Sequence, residues 1–266
     1  MAAMDLRKAR VVVTGASAGI GAATVSAFCA AGAAEVVAVA RRTQRMQEMA
    51  AAWRASGTDV RLVALDVRDR EALARAAQDV PQLLRPDVLV NNAGLARGTE
   101  PMQAADPADW DEMVDTNVKG LLYVTRACMP ALLESAARNG VSHIVNLGSV
   151  AGRWVYPGGG VYCATKHAVK ALSEGLRMDL LGTNVRVTNI EPGMVETEFS
   201  VVRHRGDASK AAKVYADTRP LRAEDVADTI VWCVQRPPHV NVQELVLYPT
   251  DQAHVGQVHR RPASGR

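Results

Sequence analysis

The chain has 266 residues, 48% of them hydrophobic and 22% charged, which fits one folded α/β domain and excludes a fibre or a disordered chain. Its 31 lysines and arginines face 28 aspartates and glutamates, and a net charge of +3 is too small and scattered to argue for nucleic acid.

At the start, Met1 to Lys8 lacks the apolar stretch of a secretion signal, and no later run approaches the ~18 apolar residues of a membrane span. A cytoplasmic protein without a membrane partner is expected. Short β-branched runs then alternate with longer alanine-rich periodic stretches, the order of βαβ units around a parallel sheet. Strands are expected at Arg10–Thr14, Glu35–Ala40, Val60–Leu65, Val88–Asn91, His143–Leu147, Val185–Ile190 and Glu244–Leu247. Helices are expected at Gly19–Ala31, Thr43–Ser56, Arg70–Val80, Pro107–Ala137, Val161–Leu181 and Ala223–Val234. These form a doubly wound, parallel, seven-stranded sheet with helices on both faces, in one domain over residues 1–251. Within it Met194 to Leu221 has few strong apolar repeats and reads as a substrate lid (194–221). The tail, 252–266, with His259-Arg260-Arg261-Pro262 and Ser264-Gly265, has too little apolar matter to fold alone and is expected to be mobile.

Val11-Val12-Val13-Thr14-Gly15-Ala16-Ser17-Ala18-Gly19-Ile20-Gly21 is a buried strand running into a helix start. Gly15, Gly19 and Gly21 permit a tight turn and let backbone N–H groups approach a pyrophosphate at the positive helix end, although a purely structural turn competes as a reading. About twenty residues on, dinucleotide folds carry an acid that holds the ribose 2′-OH. Here the chain reads Val39-Ala40-Arg41-Arg42, with Glu35 at the wrong end of the strand. A guanidinium fork suits a phosphate. NADP(H) is therefore expected over NAD(H), with Arg41 and Ser17 on the 2′-phosphate and Arg42 assisting. Asp66 reads equally as a partner for the adenine amino group or as a helix cap. Asn91-Asn92-Ala93-Gly94 and Pro192-Gly193 are turns at the carboxyl edge of the sheet, where open α/β folds bind ligands, and Gly193 would leave room for a flat ring.

Tyr162 and Lys166 stand four residues apart, thirteen residues after Ser149, and so share one helical face. Hydride transfer at a carbinol carbon needs a proton to move on its oxygen. Tyr162 is the expected donor and acceptor, its phenol of pKa ~10 shifted toward phenolate by the Lys166 ammonium and by an oxidised nicotinamide. Ser149 would hold the substrate oxygen. Asn117 sits inside a long expected helix, where asparagine is disfavoured, and would hold a water linking Lys166 to solvent. Cys163 reads as a small helix filler. With Cys29, Cys128 and Cys233 it forms no Cys-x-x-Cys pair, so no metal site and no disulfide framework is expected.

Thr14 to Gly21, Asn91 to Gly94, Asn117, Ser149, Tyr162 to Lys166 and Pro192-Gly193, in that order, make residues 8–250 resemble the short-chain dehydrogenase/reductase family. The resemblance implies a Rossmann-type fold and a catalytic group of Asn117, Ser149, Tyr162 and Lys166. It implies cofactor contacts at Asn91, Ile20, Val67, Val195 and Thr197 besides the turns above, and from Tyr162 and Lys166 themselves. It also implies a homodimer or homotetramer joined through the two long helices. One departure is Ala18, where many NADP-using relatives carry a basic residue. Ile190 to Phe199, Tyr156 to Gly160 and Arg222 to Ala227 are similar to a branch holding NADP-dependent 3-hydroxy acid dehydrogenases and broad carbonyl reductases.

An alcohol and carbonyl interconversion is thus expected, with a small polar or 3-hydroxy acid substrate favoured and a bulkier carbonyl compound as the alternative. Arg153, Arg203, His204 and Arg205 are candidates for a substrate carboxylate, although Arg203-His204-Arg205 also reads as a solvated stretch. Trp154, Tyr156, Met194 and Phe199 would wall a bulkier site. A non-catalytic NADP(H) sensor would have lost the tyrosine or lysine, and an isomerase that retains its cofactor would show no net nicotinamide change.

Overall fold

The computed structural model describes residues 4–261, so Pro262, Ser264 and Gly265 of the expected tail lie outside the described residues. Seven strands form one sheet, β1 (Arg10–Thr14), β2 (Glu35–Ala40), β3 (Asp59–Ala64), β4 (Val88–Asn91), β5 (Ser142–Leu147), β6 (Val185–Pro192) and β7 (Glu244–Leu247). All pairings are parallel, in the order β3-β2-β1-β4-β5-β6-β7. The connecting helices are α1 (Gly19–Ala30), α2 (Thr43–Arg54), α3 (Arg70–Asp79), α4 (Pro107–Val114), α5 (Leu121–Asn139), α6 (Gly160–Asp179), α7 (Phe199–Arg203), α8 (Ala208–Tyr215) and α9 (Ala223–Val234).

The period-2 alternation of strand side chains sorts the core into two layers. Val11, Val13, Val36 and Ala38 pack against Phe28 of α1, Trp53 of α2 and Ile230 of α9. Their neighbours Val12, Val37 and Leu89 pack on the other face against Leu73 of α3 and Leu132 of α5. Both faces are covered, which is why β2, β4, β5 and β6 are buried at every position. The expected doubly wound sheet is the one observed, with β3 shifted back by one residue and β6 running on to Pro192.

The expected helix over Pro107–Ala137 runs on without a break, but its middle is not α-helical. Asp115–Gly120 forms a π-helical turn between α4 and α5. The wider turn carries Asn117 inward, where its amide bonds the Leu95 backbone and Thr165. Gly120 closes the turn against Val67, since a Cβ there would stand 2.6 Å from Val67 Cγ2.

Residues 194–221 form α7 and α8 on a narrow neck, where Leu221 N donates to Met194 O at 2.9 Å and Glu196 N to Leu221 O at 2.8 Å. The chain after Asp251 differs from expectation. Gln252–His254 (β8) and Gln257–Val258 (β9) pair antiparallel. Arg261 then forms an ion pair with Asp251 at 2.9 Å, and its N–H donates to Asp217 O at 2.7 Å. Charge and backbone bonds, not apolar burial, tie this segment to residues 194–221, so counting apolar residues could not reveal it.

Candidate active site

The strand order reverses between β1 and β4, and connections leaving these neighbours in opposite directions open a crevice at their carboxyl ends. Thr14 Oγ1 accepts from Asn92 N and Ala93 N, both at 3.0 Å, while Asn92 Nδ2 donates to Thr14 O at 2.8 Å. These bonds fix the two turns as one floor. Above it lies a cleft of about 690 Å³ lined on one side by Gly15, Ser17, Gly19 and Ile20.

That side suits a pyrophosphate. Ala18, the N-cap of α1, supplies no side-chain acceptor, so the first N–H groups of the helix stay available for an anion. Gly15 and Gly19 have φ of +69° and +52°, a region that costs other residues strain. Gly21 does not line the cleft, contrary to its expected contact. A Cβ there would stand 2.3 Å from Gly15 O, so its role is close packing of the helix on the turn.

Arg41 and Arg42 face the same cleft. Arg42 Nε donates to Ser17 Oγ at 3.3 Å, and Arg41 Nη1 lies 3.8 Å from Asp66 Oδ2. No carboxylate ends β2, and Glu35, at its start, pairs with Arg10 and Arg61. Asp66 is not the cap of α3, because Asp69 accepts from Ala72 N at 2.8 Å in that role. Burial raises the Asp66 carboxyl, but bonds from Arg68 outweigh it and hold the group below its ordinary range. Asp66 and Val67 both line the cleft, as do Ala93 and Gly94.

At the other end, α6 presents Tyr162 in its first turn and Lys166 one turn later. Both are buried yet line the cleft. Lys166 Nζ donates to Leu147 O at 2.7 Å and lies 5.9 Å from the centre of the Tyr162 ring. Burial lowers the Lys166 ammonium to about 8. Burial also raises the Tyr162 phenol, reinforced by Tyr156, while the Ser149 hydroxyl and the Arg203 guanidinium pull it down less strongly. Ser149 caps the short 3-10 turn Val150–Gly152 through Ala151 N at 3.1 Å, and its Oγ lies 3.4 Å from Pro192 O.

Asn117 is only 2% exposed and does not line the cleft. Its Oδ1 accepts from Leu95 N at 2.8 Å, and its Nδ2 donates to Leu95 O at 2.8 Å and Thr165 Oγ1 at 3.0 Å. It braces the wall beside Gly94 and the start of α6. Pro192, Gly193, Val195 and Thr197 line the cleft, but the room beside Gly193 is filled. A Cβ there would meet Gln252 Oε1 at 2.3 Å, and this oxygen accepts from Met194 N at 2.7 Å.

Of the four basic candidates, Arg153 is paired with Glu191 and Glu244 and does not line the cleft. Arg205 pairs with Asp109 at 2.6 Å, also outside it. Arg203 lines the cleft and stacks over the Tyr156 ring at 5.2 Å, donating to Tyr156 Oη at 2.8 Å. Among the described residues it has no carboxylate partner. His204 also lines the cleft. Tyr156, Met194 and Phe199 contribute apolar surface, whereas Trp154 packs on His254 outside it. Cys163 is buried, with burial pushing its thiol up, as a filler would be. Among the described residues no group of three or more His, Cys, Asp or Glu side chains could hold a metal.

Sequence reasoning missed Gln252, Val255 and Arg97 as lining residues. The first two belong to the segment read as tail. Arg97, held by Glu112 at 2.6 Å, follows the asparagine turn without any local pattern of its own.

Residues 9–207 match the family described as short chain dehydrogenase. The chain is 46% identical over 254 residues to the NADP-dependent 3-hydroxy acid dehydrogenase YdfG of Shigella flexneri, covering 94% of this chain and 99% of that one. It is 47% identical over 244 residues to sulfoacetaldehyde reductase 2 of Chromohalobacter salexigens, covering 91% and 95%. The closed form of serine dehydrogenase complexed with NADP+ superimposes with a TM-score of 0.86 at 44% identity, covering 93% of this chain and 97% of that one.

Proposed function

The chain belongs to the short-chain dehydrogenase/reductase family, and from that premise we propose an NADP(H)-dependent oxidoreductase that interconverts an alcohol and a ketone or aldehyde. The substrate is small and bears an acid group, with a 3-hydroxy acid as the first candidate. One observation carries this reading: a single cleft joins an uncapped helix N-terminus and two guanidiniums at one end to Tyr162, Ser149 and Lys166 at the other. The residues fit NADP(H), since donors and cations stand where pyrophosphate and 2′-phosphate would lie and no acid opposes the phosphate from the end of β2.

When bound, NADP(H) supplies or accepts the hydride. In the reducing direction Tyr162 gives its proton to the carbonyl oxygen as the carbon accepts hydride, which leaves an alcohol and a phenolate. The raised phenol is protonated at neutral pH and ready as that donor. Ser149 holds the same oxygen while its charge changes. Lys166, fastened to Leu147, puts its charge near the phenolate that results. Asn117 acts through Leu95 and Thr165 as a positioning residue.

Arg203 is our assignment for the substrate's acid group, because its guanidinium lines the cleft unneutralised by any described carboxylate. Residues 194–221 serve as the lid that carries it, within one catalytic domain that Gln252 and Val255 complete. Small acidic substrates are favoured over bulkier carbonyl compounds because both sequence relatives above are named for substrates that carry an acid group.

Exposed apolar side chains on α5, Leu122 and Leu133, on the last turn of α6, Met178, and just beyond it, Leu181, support a homodimer or homotetramer. Four free, buried cysteines fit the cytoplasm. Among the described residues no helix is long and apolar enough to cross a membrane.

The test is turnover of 3-hydroxy acids, sulfonated aldehydes, steroids and simple aldehydes, followed at the nicotinamide band with each cofactor. Activity confined to steroids, or equal use of NAD(H), would refute the reading.

A further inference from the structure

Glu198 stands between Thr197, whose side chain would lie 3.2 Å from a Cβ on Gly19, and the start of α7. One of its carboxylate oxygens accepts from Arg42 Nη1 at 3.0 Å, and the other accepts from Arg45, in the first turn of α2. Arg42 Nε at the same time faces Ser17 Oγ. The guanidinium offered beside Ser17 is thus already neutralised, and by a side chain that lies 156 residues further along the chain and belongs to the segment lining the cleft.

We propose that Glu198 is a specificity-determining residue that stands in for the 2′-phosphate of the nucleotide. On binding of a 2′-phosphorylated nucleotide its carboxylate cedes Arg42 and stays on Arg45. This rests on the NADP(H) reading above. A phosphate carrying about −1.5 to −2 charges at neutral pH repels a carboxylate held on the same guanidinium. Arg45 gives the displaced carboxylate a second anchor, so the lid shifts without being freed. A nucleotide with a plain 2′-OH makes no such demand and leaves the Glu198 pair intact. The phosphate is thereby read by the lid, and Glu198 works against NADP(H) binding while making that binding register in α7.

The pairs are half-exposed, with side-chain accessibilities of 46% for Arg42, 45% for Arg45 and 42% for Glu198, so the effect is modest and the variants should fold. Binding of adenosine 2′,5′-bisphosphate and of adenosine 5′-monophosphate is measured by calorimetry on wild type, Glu198→Gln, Arg45→Met and the double variant. Glu198→Gln should bind the bisphosphate about two- to fivefold tighter and the monophosphate unchanged. Arg45→Met should weaken the bisphosphate, and this loss should vanish in the double variant. Hydrogen exchange in residues 199–203 should respond to the bisphosphate in wild type but not in Glu198→Gln. A wild type that prefers the bisphosphate, with no gain in Glu198→Gln, overturns the proposal alone. A wild type that binds both nucleotides equally overturns the cofactor reading and the proposal with it.

Discussion

Lys166 Nζ donates to the carbonyl oxygen of Leu147 at 2.7 Å, which fastens a buried ammonium on α6 to the last residue of β5, two residues before Ser149. Burial lowers this group to about 8, against ~10.4 in an unfolded chain. Between those values the unfolded state binds more protons than the folded one, so stability rises with pH through that window. Relative to Lys166→Met, the wild type should therefore gain about 3 kcal/mol between pH 8 and 10.5. Urea unfolding of both proteins across that range measures the difference, and parallel pH profiles would contradict it.

Tyr162→Phe removes the hydroxyl we propose as the proton donor, so kcat should fall by about 10²- to 10⁴-fold while nucleotide affinity holds. Because burial raises the phenol, reduction by the wild type should be level through neutral pH and fall only in alkali as the donor ionises. Oxidation of the alcohol should rise over the same range. Steady-state rates in both directions against pH check the pair, and a Phe variant with substantial turnover would remove Tyr162 from the chemistry.

Arg41 and Arg42 line the cleft where β2 ends without a carboxylate. Replacing both with Ala should weaken NADP(H) by about 10- to 100-fold, the scale of losing one or two charged hydrogen bonds. NAD(H) affinity should change little. Titration of each cofactor by fluorescence reads this, and equal losses would refute a contact with the phosphate.

The sheet was legible because its signal is local: β-branched runs buried on both faces, such as Val36 to Ala40, read as strands whatever surrounds them. The turn at Gly15 to Gly21 and the pair Tyr162 and Lys166 were legible because each lies within one strand-helix junction or one helical turn. What the sequence hid is held by partners far away along the chain. The π turn at Asn117 answers to Leu95 and Thr165, and Gln252 reaches Met194 across 58 residues. The protonation of Tyr162 depends on how much water the assembled walls exclude, which spacing alone does not encode.

Gly193 tests the second of those contacts. A Cβ at this position would push on Gln252 Oε1 at 2.3 Å and break its bond from Met194 N, which lies at the neck of residues 194–221. Gly193→Ala should raise KM several-fold and speed hydrogen exchange at Met194, at a stability cost of about 1 kcal/mol. Gln252→Ala should reproduce the exchange at Met194 without steric pressure. Normal exchange there in both variants would show that the tail does not support the lid.

Arg203 donates to Gly98 O at 3.0 Å, to Gly158 O at 3.3 Å and to Tyr156 Oη at 2.8 Å, contacts that hold the fork in place without cancelling its charge. An arriving carboxylate or sulfonate would therefore meet a preorganised cation, which loses little freedom on binding. Arg203→Leu should lower kcat/KM for acid-bearing substrates by about 10- to 100-fold, the scale of a hydrogen-bonded charge pair. A neutral aldehyde of similar size should change by less than about threefold, since only packing against the Tyr156 ring is altered for it. Arg203→Lys keeps the charge but not the fork, so it should recover part of the loss for acidic substrates alone. Equal losses on neutral and acidic substrates in Arg203→Leu would assign the residue to lid architecture instead of substrate recognition.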